Sequence, residues 1–256
     1  MSSRPRRKRG AGREAKRAAR QQASGEVAAW IERRIPYFEV LNEEALELIE
    51  HNADTVLEEI GVEFREFPRA LELWREAGAD VDGERVRFPR GLCRSIIQSS
   101  APREFTQHAR NPARSVRIGG DRTVLVPAYG SPFVRDLDQG RRYAKIEDFR
   151  NFVKLAYMSP GLHHSGGTVC EPVDLPVNKR HFDMVYSHIK YSDKPFMGSV
   201  THPERARDTI EMAKLVFGEE FVGQNTVITS LINANSPLTF DDTMLGSATV
   251  YAEHNQ

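Results

Sequence analysis

Helical and extended patterns alternate from residue 146 to the last residue, and this alternation limits the possible folds more than any other feature. Residues 146–158 have the spacing of an amphipathic helix, 162–170 read as extended and 178–191 as helix. Residues 195–200 read as strand, 203–217 as helix, 226–233 as an apolar, β-branched strand and 241–256 as helix. Pro203 sits where a first helical position tolerates it, because that N–H has no intrahelical partner. Repeated strand–helix–strand order predicts a parallel sheet with right-handed crossovers. The fold class expected is α/β, the first half of a TIM (β/α)8 barrel. Each strand ends in polar residues followed by proline: Glu171-Pro172, Thr201-His202-Pro203 and Asn235-Ser236-Pro237. Barrel enzymes place their chemistry at such C-terminal strand ends. Residues 251–256 carry no Gly, Lys or Arg to stop a helix. The chain therefore reads as ending in mid-helix, with an open strand edge that something else would have to complete.

Upstream the rhythm differs. Asn42 is a helix cap, followed by Leu46, Ile49, Ala53, Val56, Leu57 and Ile60 at helical spacing, and Gly61 stops the helix. A strand at 62–64, a helix at 70–77, an Asp82-Gly83 turn, a strand at 85–88 and a helix at 90–99 follow. A hairpin is predicted from 115–118 and 123–127 around Gly119-Gly120-Asp121. Residues 129–136 read as a loop or irregular strand over a cavity. The organisation expected is a basic leader at 1–34, a small α/β N-terminal cap at 35–114 and the barrel half at 115–256.

Charge and composition narrow the class. Residues 1–20 hold nine Lys/Arg and one Glu, while the whole chain has 36 of each sign, so the body is mildly acidic. The leader reads as a solvated, disordered segment, a nucleic-acid tail centred on Arg4 to Arg9, or an Arg-rich presequence. No basic stripe with interleaved aromatics extends it, so no nucleic-acid partner is expected. No run of 18 apolar residues exists, so no membrane partner is expected. Cys93 and Cys170 are the only cysteines, which makes no disulfide framework and suits a reducing cytoplasm.

Several ordered blocks resemble the trimethylamine methyltransferase family. They are His163-His164-Ser165-Gly166-Gly167-Thr168 with Glu171-Pro172, Asp193-Lys194-Pro195-Phe196-Met197-Gly198-Ser199-Val200, and Ile232-Asn233-Ala234-Asn235-Ser236-Pro237-Leu238. Glu59-Ile60-Gly61-Val62-Glu63-Phe64, Arg87-Phe88-Pro89, His108-Ala109-Arg110-Asn111-Pro112 and Phe133-Val134-Arg135-Asp136-Leu137-Asp138 extend the resemblance upstream. The likeness is to the N-terminal half of such proteins. It implies a TIM-barrel enzyme that moves a methyl group from trimethylamine, or a quaternary amine such as glycine betaine, to a corrinoid. The corrinoid, a cobalamin-like cofactor, is carried by a separate corrinoid protein as the partner, and no metal is bound directly. A homo-oligomer is implied for the full-length form. A second reading is a half-length, catalytically empty chain serving as an interaction module.

The candidate catalytic residues are Glu171 and His164. A carboxylate at a strand end suits a cationic methylammonium, against the plainer reading of a cap or salt bridge. His163 and His164 should face opposite sides of their strand, as substrate-orienting groups or as satisfied core histidines. Tyr129 and Phe133 are candidates for an aromatic cage, worth about 0.5–2 kcal/mol per ring by cation–π attraction. Asn233 and Asn235 are read as substrate-binding amides, or as turn formers before Ser236-Pro237. A zinc reading of His164, Cys170 and Glu171 matches no ligand spacing. Gly166-Gly167 lacks the pattern of a phosphate loop.

Overall fold

The computed structural model describes residues 28–256. Most of the basic leader, including Arg4 to Arg9, lies outside them. Along the chain the elements are β1 (Ile31–Glu32), α1 (Glu43–Glu59), β2 (Val62–Phe64), α2 (Pro68–Glu76), β3 (Asp80–Asp82), β4 (Arg85–Arg87), α3 (Leu92–Ser100) and β5 (Glu104–Gln107). Then come β6 (Val116–Gly119), β7 (Arg122–Thr123), β8 (Phe133–Asp136), β9 (Gly140–Tyr143), α4 (Ile146–Met158) and α5 (Arg180–Tyr191). The last are β10 (Phe196–Met197), α6 (Pro203–Phe217), α7 (Glu219–Gln224), β11 (Ile228–Thr229), β12 (Thr239–Phe240) and α8 (Asp242–Glu253).

Local chemistry explains most helix boundaries. The Asn42 side chain accepts from the Ala45 N–H at 3.0 Å, and Asp241 accepts from Met244 at 2.9 Å. Gly61 turns the chain at φ +74°, and a Cβ there would lie 2.3 Å from the Val86 carbonyl. Helix α1 forms as its spacing predicts, yet none of its residues is buried. Only Leu57 packs against the aromatic core of the β12-β2-β4-β3 sheet. In that core Phe64 stacks on Phe240 at 5.7 Å, and Trp74 meets Phe88 edge-on at 4.8 Å.

Two sheets cross the expected boundary between cap and barrel half. In the β1-β7-β6-β5 sheet, β5 pairs antiparallel with β6 across residue 114. In the other, β12 runs parallel to β2, placing Phe240 opposite Phe64. Ile31–Glu32, inside the stretch assigned to the leader, pairs with β7. These joins are long-range pairings, which local pattern does not report.

Residues 123–229 hold a wall of extended segments joined by backbone hydrogen bonds. His163 N–H donates to the Leu125 carbonyl at 3.0 Å, and Ser165 N–H to Pro195 at 2.8 Å. Met197 N–H donates to Gly166 at 2.8 Å, and Gly198 N–H to Thr229 at 2.9 Å. Four extended segments thus lie side by side, and β10 and β11 are parallel with Met197 opposite Thr229. The regular strands are shorter than the sequence suggests. Gly166 at φ +91° breaks the expected extended run at 162–170 before a regular ladder forms. There is no closed barrel among the described residues. Helices α5, α6 and α8 cover one face of the wall through Val185, Ala206, Ile210, Val250 and Tyr251, which pack on Phe196 and Ile228. Helix α8 stops at Glu253 rather than running through Gln256, and Asn255 takes φ +59°. Asn is among the few residues that adopt this conformation readily.

Candidate functional site

The C-terminal ends of the wall carry Gly166-Gly167-Thr168, Met197-Gly198-Ser199 and the residues after Thr229. His164 bonds Gln107, which also meets Thr229, and Ser165 bonds His188 on α5. His164 Nδ1 accepts the Gly166 N–H at 2.9 Å, and its Nε2 meets Gln107 Oε1 at 3.1 Å. Since Nδ1 accepts, the proton sits on Nε2. Burial, with a smaller effect from His188, pushes His164 down to about 3, so the ring is neutral. Gln107 is fully buried and also donates to the carbonyls of Phe196 at 2.8 Å and Val227 at 3.2 Å. It accepts from the Thr229 hydroxyl at 3.3 Å, so one amide ties His164 to both β10 and β11.

Behind the wall, Ser165 Oγ donates to His188 Nδ1 at 2.7 Å, and His188 Nε2 donates to the Gly167 carbonyl at 2.8 Å. Burial holds His188 down at about 4, its bond to Gly167 opposing. Lys194 is buried, and its ammonium donates to the carbonyls of Ala156 at 2.8 Å, Ser159 at 3.1 Å and Leu162 at 2.6 Å. It therefore terminates α4 and anchors the residue before His163. Burial first and Arg114 second lower Lys194 to about 8. His163 Nδ1 accepts the Leu125 N–H at 2.9 Å. Burial, then the charge of Lys194, lowers its pKa.

The structure brings Tyr129 and Glu171 onto neighbouring segments. Gly130 N–H donates to Thr168 at 2.6 Å, and Glu171 N–H to Ser131 at 2.9 Å. Tyr129 is 43% exposed and its hydroxyl accepts from Thr168 Oγ1 at 3.4 Å. The Glu171 carboxylate pairs with Arg180 at the start of α5, and its side chain remains 37% exposed. Phe133 lies in β8, tilted against Tyr143 at 4.7 Å, and the Arg141 guanidinium covers its ring at 3.8 Å. A cation already occupies that ring. Asn235 exchanges backbone bonds with Thr239, and its amide donates to Asp241 at 2.7 Å, bracing the turn that leads into β12. Asn233 is exposed in the same loop. Neither asparagine is hydrogen-bonded to the Tyr129–Thr168–Glu171 group. No cluster of three His, Cys, Asp or Glu residues suited to a metal occurs among the described residues.

Sequence reasoning missed Gln107, His188, His181 and Tyr251. Tyr251 donates to the Ser199 carbonyl at 2.7 Å, and burial raises its pKa to about 12. Gly198 is required beneath it, because a Cβ there would meet the Tyr251 hydroxyl at 2.2 Å.

Helices and short strands in several small sheets make this a mixed α/β protein. The chain belongs to the trimethylamine methyltransferase family (MTTB), whose model matches residues 6–256. It is 46% identical over 223 residues to a glycine betaine methyltransferase of Desulfitobacterium hafniense (strain Y51). That match covers 87% of this chain and 46% of the relative, so the chain spans about half the length of the curated relative. No helix among the described residues is long and apolar enough to cross a membrane.

Proposed function

We propose that this chain forms the first half of a (β/α)8 methyltransferase barrel that moves a methyl group from a quaternary amine of the glycine betaine kind to the cobalt(I) corrinoid of a partner protein. The observation that carries this reading is the 46% identity to a glycine betaine methyltransferase across 87% of the chain. The rim supports it chemically. The quaternary nitrogen already carries its leaving group, so the protein has to orient the N–CH3 bond and exclude water rather than protonate anything first. The exposed face of Tyr129 offers a cation–π surface. Glu171 supplies negative charge for the trimethylammonium end, and Arg180 beside it supplies positive charge for the carboxylate end of a betaine. A tertiary amine such as trimethylamine has no use for the guanidinium, so the pair favours the zwitterion. His164, with both ring nitrogens engaged, positions the wall and leaves proton transfer to other groups. We place the remaining strands of the barrel beyond β11, where Phe105, Ile228, Ile232 and Ala248 line an open groove of about 500 Å³.

The test mixes the purified chain with reduced corrinoid protein and glycine betaine or trimethylamine, with and without a polypeptide supplying the rest of the relative's length. Cobalt methylation is followed by absorbance. Methylation by glycine betaine in the completed mixture, with little from the chain alone, is the expected result. No methylation in the completed mixture, under conditions where the D. hafniense enzyme turns over, would overturn the reading.

A further inference from the structure

Gly167 lies at the rim between Gly166 and Thr168, and the reading above gives it no part. Its backbone is not left-handed, unlike that of Gly166, so φ alone would admit a side chain. Space does not. A Cβ on Gly167 would lie 2.9 Å from Tyr129 Cε2, 2.9 Å from Met197 Cβ and 3.5 Å from Met197 Sδ. Carbon atoms in ordinary contact are about 3.5–4.0 Å apart. The Tyr129 ring and the Met197 side chain therefore meet over the bare backbone of this buried glycine.

Of the two neighbours, Met197 is the fixed one. Its N–H donates to the Gly166 carbonyl at 2.8 Å, and the next N–H, of Gly198, donates to Thr229 at 2.9 Å. Phe196 before it packs with Val185, Ala206 and Ile210 in the core on the helix side. Successive strand side chains alternate, so Met197 lies on the opposite face, beside its register partner Thr229. Tyr129 is held loosely by comparison. It is half-exposed, and the hydrogen bond on its side chain is the one from Thr168 at 3.4 Å. The empty space at Gly167, more than any bond, lets this ring settle against Met197.

We propose that Gly167 and Met197 determine specificity at the rim: Gly167 seats the Tyr129 ring against the Met197 thioether, and the two side chains form one wall for a quaternary trimethylammonium group. The inference rests on the methyl-transfer reading. A quaternary nitrogen presents three methyl groups and no N–H. It is held by cation–π attraction and dispersion, and hydrogen-bond acceptors have nothing to offer it. An aromatic face beside a polarizable sulfur supplies both attractions, and the unbranched methionine side chain adapts its shape to the ring edge. The Tyr129 hydroxyl is already engaged with Thr168, so the wall presents its apolar surface. Gly167 is a positioning residue that acts through Tyr129. A methyl group placed there displaces the ring, because Met197 is tied to its strand, and the two parts of the wall separate.

The experiment has two arms. The first needs no turnover and uses the full 256-residue chain with ¹³C-labelled methionine methyl groups. M197L identifies the Met197 signal, which Y129L and G167A should both move. A Met197 signal that either variant leaves in place overturns the contact. The second arm uses the completed mixture and compares glycine betaine with tert-butylacetate, its carbon isostere, which keeps the shape and the carboxylate but lacks the positive charge. G167A should raise the KM for glycine betaine about tenfold with little change in kcat, and raise the inhibition constant of tert-butylacetate much less. The preference for the cation over its neutral twin then falls, which a merely structural defect would not produce. M197A, which removes the thioether without crowding the site, should lower the same preference and keeps the test decisive if G167A does not fold. A preference unchanged in these variants, or a loss confined to kcat, in a mixture that methylates cobalt overturns the wall alone. A wild-type mixture that methylates no cobalt overturns the methyl-transfer reading and this inference with it.

Discussion

Two neutral, buried imidazoles make the fold acid-labile in a way that can be calculated. His164 is held down at about 3 and His188 at about 4, both chiefly by burial, from an ordinary value of 6.5. A folded state that resists protonation loses stability as the unfolded chain takes up protons. The contribution is therefore intact above pH 6.5 and falls away as the pH drops from there toward 4 and then 3. Each unit is worth about 1.4 kcal/mol per ring. At pH 5, some 1.5 units down, each ring has cost about 2 kcal/mol and the pair about 4 kcal/mol. A domain stable by roughly 5–15 kcal/mol loses a large part of its margin there. The carboxylates held low, Asp136 chiefly by the Gln139 N–H and Asp148 chiefly by Arg142, add their own losses only nearer their unfolded values of about 4, so pH 5 isolates the histidines, with His163 adding a further loss of the same sign. The assay is urea unfolding at pH 7.5 and pH 5 for the wild type, H164Q and H188Q. The wild type should lose about 4 kcal/mol between the two pH values and each variant about 2, whatever its stability at pH 7.5. A wild-type loss under about 1 kcal/mol, or variants that lose as much as the wild type, would refute the placement of these rings as buried and neutral.

Three further outcomes follow from single contacts. K194M keeps the side-chain stem but leaves the carbonyls of Ala156, Ser159 and Leu162 without their donor, so urea unfolding should show a loss of roughly 3 kcal/mol. G198A drives a methyl into the Tyr251 hydroxyl and breaks its bond to Ser199, costing about 1–3 kcal/mol and lowering the melting temperature, whereas Y251F restores part of the loss in the double variant. E171Q removes one partner of a half-exposed ion pair, so stability should fall by less than about 1 kcal/mol; in the completed enzyme the KM for glycine betaine should rise at least tenfold, and an unchanged KM would remove Glu171 from the site.

How far the sequence could be read depended on how local each signal was. Helices α1 and α6 were legible because their start signals, Asn42 and Pro203, act within three or four residues of the boundary, and α4 because its amphipathic spacing is itself local. The hairpin of β8 and β9 was not. Its strands carry Arg135, Arg141 and Arg142, whose charges hide the alternation, and Arg142 earns its place only by bridging Asp136 and Asp148. Segments 162–170 and 195–200 were seen as extended, and backbone bonds do join them. Their length as regular strand was overestimated, because the turn at Gly166 depends on a conformation that a pair of glycines permits but does not announce. The parallel join of β12 to β2 brings together residues about 175 apart, beyond any local pattern.

The same distinction governs the site. The paired histidines attracted the functional reading because two adjacent imidazoles at a strand end stand out in a sequence. In the fold His164 is saturated by Gly166 and Gln107, while His163 Nδ1 accepts from Leu125. A ring with both lone pair and N–H engaged in a dry interior holds the backbone in place, and breaking those bonds to serve a ligand would leave buried groups unpaired. His181 carries no motif, sits among ordinary helix residues, and owes its position to Asp208, 27 residues onward. It nevertheless has what a satisfied core residue lacks, a buried ring nitrogen with no protein partner among the described residues, on a ring that borders a cavity. Chemistry is available at atoms whose hydrogen-bonding capacity the fold leaves open, and that openness is set by tertiary packing, which is why His181 emerges from the structure and the histidine pair from the sequence.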